Sequence, residues 1–238
     1  MTAQPACRAV DVTRRHGLTM ALAGVSVWLP SGRMNIVLGP SGSGKTTLLQ
    51  CLAGLDRPTS GEIHCAGVEL TRLEPPEVAA FRARHTGFVF QRFNLIGTLT
   101  ARENVELPLR AQGIEPDATW VRRLFDDLEI TTVADRGPAE MSGGQRQRVA
   151  IARALAHRPA VLFADEPTGN LDSKTSAEVM ELLRRSVDEF GQTIVMVTHD
   201  AAAAATADRV LVLVDGKIVQ DAAPKSADAV LDLMKQLA

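Results

Sequence analysis

Apolar residues fall along this chain in two alternating patterns. Compact runs at residues 34–38, 161–164, 193–198 and 209–214 are almost continuously apolar, and residues 87–90 form a fifth short run. Runs of this length, rich in Val, Ile and Phe, predict strands of a parallel sheet covered on both faces. Between them the apolar positions recur every three or four residues: Val179, Leu182, Leu183 and Phe190 line one face of a predicted helix, and Gly191 stands where that helix should end. The alternation predicts an α/β fold. Residues 9–13 and 23–29 predict shorter strands, joined to the 34–38 strand by a Pro30-Ser31-Gly32 turn. Asp215-Gly216 between two apolar stretches predicts a hairpin. The alanine run 201–205 predicts a short helix. Residues from about 92 to 156 are more helical and are expected to form a second lobe, and the chain contains no internal repeat.

Composition narrows the class. A chain of 238 residues can bury one full core, and 26 basic against 28 acidic side chains leave a formal net charge of −2. That balance provides no electrostatic footprint for nucleic acid or an anionic membrane surface. The three cysteines, Cys7, Cys51 and Cys65, lie far apart without a C-x-x-C, so neither a disulfide framework nor a zinc site is expected, and a reducing cytoplasm fits. The first residues lack the pattern of a signal peptide, and no apolar run approaches the ~20 residues of a membrane span. If the protein acts at a membrane, another chain must supply the spans.

The strand at 34–38 empties into Gly39-Pro40-Ser41-Gly42-Ser43-Gly44-Lys45-Thr46, and Thr47 continues into a predicted helix. Glycines let successive backbone N–H groups turn toward phosphate oxygens, Lys45 adds a point charge, and the Thr46 hydroxyl suits a Mg²⁺ position. An ordinary glycine-rich turn would not need a buried strand before it and a helix dipole behind it. A second strand, 161–164, ends in Asp165-Glu166. Alone this is a solvated turn; beside a phosphate loop, Asp165 is expected to hold the metal through its water shell and Glu166 to orient or deprotonate the attacking water. In the run Met141-Ser142-Gly143-Gly144-Gln145-Arg146-Gln147-Arg148, Ser142 and Gln145 form a capping box for the following helix. The two glycines exceed what a cap requires, at about 1 kcal/mol each in a helix interior, and allow close backbone approach to an anion.

Taken in order, the phosphate loop, Gln91, MSGGQRQR, Asp165-Glu166, Asn170-Leu171-Asp172 and Val197-Thr198-His199-Asp200 resemble the motifs of the ATP-binding-cassette (ABC) ATPases over most of the chain. The resemblance implies a single domain, 1–238: a P-loop NTPase core of mostly parallel sheet (1–91 and 157–238), an N-terminal antiparallel β subdomain, and an inserted helical lobe (92–156) carrying the signature motif. It implies a head-to-tail dimer, of this chain with itself or with a relative, in which Ser142, Gly143, Gly144, Gln145 and Asp172 of one subunit complete the ATP site of the other. Gln91 resembles the glutamine that touches Mg²⁺ and the water while linking the lobes, and His199 the histidine that contacts the γ-phosphate. Seen alone, Gln91 would be a polar strand end, His199 a loop residue, and Asp172 a helix cap. His16 stands where the family places an aromatic, often Tyr, against adenine, and this chain has no Tyr, which implies weaker or broader base preference. Met141 replaces the more usual Leu, a volume-conserving change.

Residues 87–95, Leu99-Thr100, the run 103–108 and Glu166-Pro167-Thr168-Gly169-Asn170-Leu171-Asp172 look like the bacterial group of lipoprotein-release, macrolide-export and antimicrobial-peptide-resistance ATPases. That implies a cytoplasmic ATPase held at the inner face of the membrane by an integral membrane permease. A regulatory clamp on a membrane partner would use the same ATP site. A DNA- or ribosome-directed relative would need a coiled-coil insertion, zinc cysteines, a basic face or a second cassette, and a simple P-loop kinase would leave MSGGQ without a role.

Overall fold

A computed structural model describes residues 5–223, 226, 228–230 and 232. Six strands form one sheet in the order β10-β9-β3-β8-β7-β6, with β3 (Met34–Leu38), β6 (Thr86–Val89), β7 (Val161–Asp165), β8 (Thr193–Val197) and β9 (Arg209–Val214) parallel and β10 (Lys217–Ala222) antiparallel at one edge. The continuous apolar runs are explained by burial on both faces. Met34, Ile36, Leu38, Leu162, Ala164, Ile194, Met196, Val210 and Val212 enter one core, whereas the alternate Val37, Val161, Phe163, Val195, Val197, Leu211 and Leu213 enter a second core on the opposite face. Each such Val, Leu, Ile, Met or Phe side chain contributes about 1.5–3 kcal/mol of transfer free energy.

The first core is roofed by α3 (Ala101–Arg110), α4 (Ala118–Asp127), α5 (Gly143–Leu155) and α6 (Ser173–Phe190). The second lies between α1 (Lys45–Leu52) and an antiparallel sheet ordered β2-β1-β4-β5, made of β1 (Cys7–His16), β2 (Thr19–Leu29), β4 (Ser60–Cys65) and β5 (Val68–Glu69). The 215–216 hairpin, the α7 turn (Ala201–Ala204) and the Gly191 stop, at φ 65°, fall where the sequence predicts them.

Three expectations need correction. β1 and β2 are long rather than short, at 10 and 11 residues, because irregular register around Asp11, at φ 48°, and near Arg14 lets the pair continue through half-exposed polar residues where apolar alternation fails. Phe190 does not join the buried face of α6; it lies exposed under the guanidinium of Arg123, 4.8 Å from the ring centre. β4, β5 and α2 (Pro75–His85) were not anticipated, although a Glu74/Glu77 capping box ahead of paired prolines marks the start of α2. The three cysteines are buried, and Cys7 and Cys65 face each other across β1 and β4 with their sulfurs 3.4 Å apart.

Candidate functional site

The sheet order assembles the site. β6, β7, β8 and β3 are neighbours and parallel, so their carboxyl ends bring Gln91, Asp165-Glu166, His199 and the phosphate loop side by side. The loop is wedged between β2 and the β9–β10 hairpin. A Cβ on Gly39 would lie 2.1 Å from the Leu213 carbonyl oxygen and one on Gly44 2.2 Å from that of Ala21, with φ 155° and 101°. Only glycine fits both positions. Ser43 is buried and its carbonyl accepts from Gly216 N–H at 3.0 Å.

Lys45, the first residue of α1, is buried, and its ammonium donates to the carbonyls of Gly39 at 2.9 Å and Pro40 at 2.8 Å. Burial pushes its pKa down, while the carboxylates of Glu166 and Asp165 pull it back up. Next to it, Thr46 Oγ donates to Asp165 at 3.0 Å. Desolvation raises the Asp165 pKa, partly offset by that hydrogen bond.

Glu166 stands in left-handed backbone, φ 45°, with its N–H on the Val197 carbonyl at 3.0 Å. One carboxylate oxygen lies 3.1 Å from His199 Nδ1, and the other accepts from the Gln91 amide at 3.4 Å. Gln91 is fixed from behind: Asn170, outside the expected site set, donates to its carbonyl at 2.7 Å. Gly169 keeps the corner open, since a Cβ there would sit 3.0 Å from the Gln91 side-chain nitrogen. Thr19, Ala21, Ser41, Gly42, Gly44, Lys45, Thr46, Thr47, Glu166 and His199 line an open cavity of about 560 Å³. Thr19 and Ala21 carry no chemical signature, and only the path of β2 places them there.

The remaining expected residues do not line this cavity. His16 ends β1 with its ring turned toward Asp56, 3.9 Å away, where Arg14 already forms a two-point pair. Ser142 and Gln145 make the reciprocal cap of α5, at 2.8 and 3.2 Å. Asp172 caps α6 by accepting from Thr175, whose hydrogen bonds hold its carboxyl below the usual range. One of the two glycines also has an explanation inside the chain. A Cβ on Gly144 would fall 2.5 Å from the Thr175 methyl, so a larger residue there would force Thr175 or the α5–α6 contact to shift, whereas Gly143 meets only Leu171 at an ordinary 3.5 Å.

The model of the ABC transporter family matches residues 22–169, more than half of the chain. The chain is 47% identical over 208 residues, 84% of its length, to a macrolide export ATP-binding/permease protein of Rhodopirellula baltica, of which it spans only 30%. It is 43% identical to a bacitracin export ATP-binding protein of Halalkalibacterium halodurans, over 88% of this chain and 85% of that protein. It is 41% identical to a lipoprotein-releasing system ATP-binding protein of Bacteroides fragilis, over 87% and 97% respectively. Among solved structures, the dimeric bacterial ABC transporter cassette MJ0796 superposes with a TM-score of 0.84 at 38% identity, covering 92% of this chain and 99% of that one, and that protein is also known in a post-hydrolysis state bound to ADP and phosphate. The chain therefore belongs to the ABC transporter family as an ATPase cassette, with the phosphate loop beside two strand-end carboxylates as its candidate ATP site.

Proposed function

We propose that this chain powers a separate integral membrane permease that exports, extracts or releases a lipophilic, lipoprotein or peptide substrate. The observation that carries the catalytic part is the Glu166 carboxylate held between Gln91 and His199, on the same cavity as Lys45 and as Thr46, which donates to Asp165. The export branch is supported by the likeness to macrolide, bacitracin and lipoprotein systems. Among the described residues no helix is long and apolar enough to cross a membrane; the likeness to ATP-binding proteins of transport systems supports a peripheral subunit on the cytoplasmic face, reached through the permease. The net charge of −2 provides no electrostatic footprint for nucleic acid and so supports a protein partner instead.

The phosphate loop binds the triphosphate through main-chain N–H groups and Lys45, whose ammonium turns from the Gly39 and Pro40 carbonyls to phosphate oxygens. Glu166 polarises a water for in-line attack and takes its proton; His199 orients that carboxylate and donates to the γ-phosphate; Gln91 positions the water. Thr46, Asp165 and the Gln91 side-chain oxygen form a set of hard oxygen donors suited to Mg²⁺. Bound there, Mg²⁺ would neutralise charge on the phosphates. A second copy, or a related ATPase, would close the site with Ser142, Gly143, Gly144, Gln145 and Asp172, and the 92–156 lobe would pass closure from the core (1–91 and 157–238) to the permease. His16 would stack on adenine with less area than tyrosine.

The test is capture from detergent-solubilised membranes of the native host with ATP-loaded Glu166→Gln as bait. A permease with few spans and a large extracellular domain is expected. A many-span importer permease would overturn the branch assignment, and purely soluble nucleic-acid or ribosome partners would sink the transport reading.

A further inference from the structure

The loop beyond Gln91 contains a turn that its own residues do not favour. Phe93 and Asn94 are consecutive, non-glycine, and both left-handed, at φ 59° and 49°. Crowding of Cβ disfavours this conformation, and phenylalanine has no polar side chain to offset it. The turn is held from α5. Arg153, in the last turn of that helix, donates through its two terminal nitrogens to the carbonyls of Asn94 at 2.5 Å and Phe93 at 2.9 Å, and Arg146 lays its guanidinium over the Phe93 ring, 5.2 Å from its centre.

The Arg153 contact differs from those of the arginines that form ion pairs with carboxylates, and its two donors reach two consecutive carbonyls. Arg148 pairs with Glu129 and Glu178, Arg184 with Asp188 and Asp208, and Arg209 with Asp221. Arg153 is partly buried, burial lowers its pKa, and among the described residues no carboxylate forms an ion pair with it. A cation withdrawn from water onto two main-chain carbonyls is a costly way to fasten a loop. What it provides is a two-point grip on backbone, which fixes the direction of the chain immediately after Gln91.

We propose that Arg153 is a positioning residue for ATP hydrolysis: by clamping the Phe93–Asn94 turn to α5 it sets where Gln91 presents its amide to Glu166. The inference rests on the roles given above to Glu166 and Gln91. Gln91 is suspended between two anchors, with Asn170 on its carbonyl and the Arg153 clamp two residues further on. Its contact with Glu166 is long at 3.4 Å, so a small displacement of the loop makes or loses it.

A double-mutant cycle in steady-state ATPase assays tests this, with thermal unfolding as the folding control. Arg153→Ala is expected to lower kcat by about ten- to a hundredfold, the scale of a misplacement near 1 Å, while KM stays within about threefold. Gln91→Ala lowers kcat by itself, and adding Arg153→Ala should then cost no more than about twofold, because the clamp has nothing left to position. Should the alanine variant fail to fold, Arg153→Lys keeps the charge but not the two-point grip, and the same cycle applies. The inference is overturned if the full Arg153 loss recurs in the Gln91→Ala background, or if Arg153→Ala turns over at the wild-type rate. Wild-type turnover by Gln91→Ala would instead refute the reading of the site itself, and the inference with it.

Discussion

Replacing Glu166 by Gln separates chemistry from binding at this site. The carboxylate accepts two contacts, from His199 at 3.1 Å and Gln91 at 3.4 Å. An amide can accept only one of them; its nitrogen would face the Gln91 nitrogen unless that side chain flips, so folding should change by about 1 kcal/mol or less. The proton acceptor is lost entirely. A positioned general base contributes about 10²- to 10⁴-fold, which at 1.36 kcal/mol per decade is about 3–5 kcal/mol of barrier. The variant should therefore bind ATP as tightly as wild type, or more stably as a closed pair, and release phosphate at least about a hundredfold more slowly. Equilibrium nucleotide titration and single-turnover phosphate release measure the two quantities separately. Turnover within about threefold of wild type would refute the assignment of Glu166.

Lys45→Ala removes the cation that faces the phosphates, and the loss of a charge-assisted contact worth about 1.5–3 kcal/mol should weaken ATP binding by about 10- to 150-fold in titration calorimetry; unchanged affinity would sink the cradle argument. Gly44→Ala forces a Cβ to 2.2 Å from the Ala21 carbonyl at φ 101°, so the loop or β2 must move. A cost of about 2–4 kcal/mol would lower Tm by about 4–16 °C, and an unshifted melting curve would show that the loop is not wedged as described. Asp221 is held below the usual carboxylate range chiefly by the hydrogen bonds from Arg209. Its contribution is complete above the ordinary carboxylate pKa of about 4 and disappears as pH falls through the depressed folded value. Asp221→Asn should thus lower the urea midpoint at pH 7 and flatten its fall below about pH 4, and an unaltered acid limb would contradict the pairing.

Much of the site was legible in the chain because its chemistry is local. The glycines, Lys45 and Thr46 of the phosphate loop fall within eight residues, and their spacing survives whatever surrounds them. The core strands were legible for a similar reason: burial on both faces demands uninterrupted apolar runs, and no polar alternation competes with that signal. β1, β2, β4 and β5 were misjudged or missed because half-exposed strands with bulges and polar ends owe their existence to partners, not to periodicity.

What the tertiary structure alone decided is mutual position. The order β6-β7-β8-β3 sets Gln91, Glu166, His199 and Lys45 next to one another, although they are scattered over residues 45 to 199. The contact between Gly144 and Thr175 explains a glycine that looked in the sequence like a ligand requirement, and the grip of Arg153 on the Phe93–Asn94 turn has no sequence signature at all. Side-chain identity and spacing specify what a segment can do. Which segments meet is decided only when parallel strands choose their neighbours, because that choice depends on burying two apolar faces at once across the whole chain.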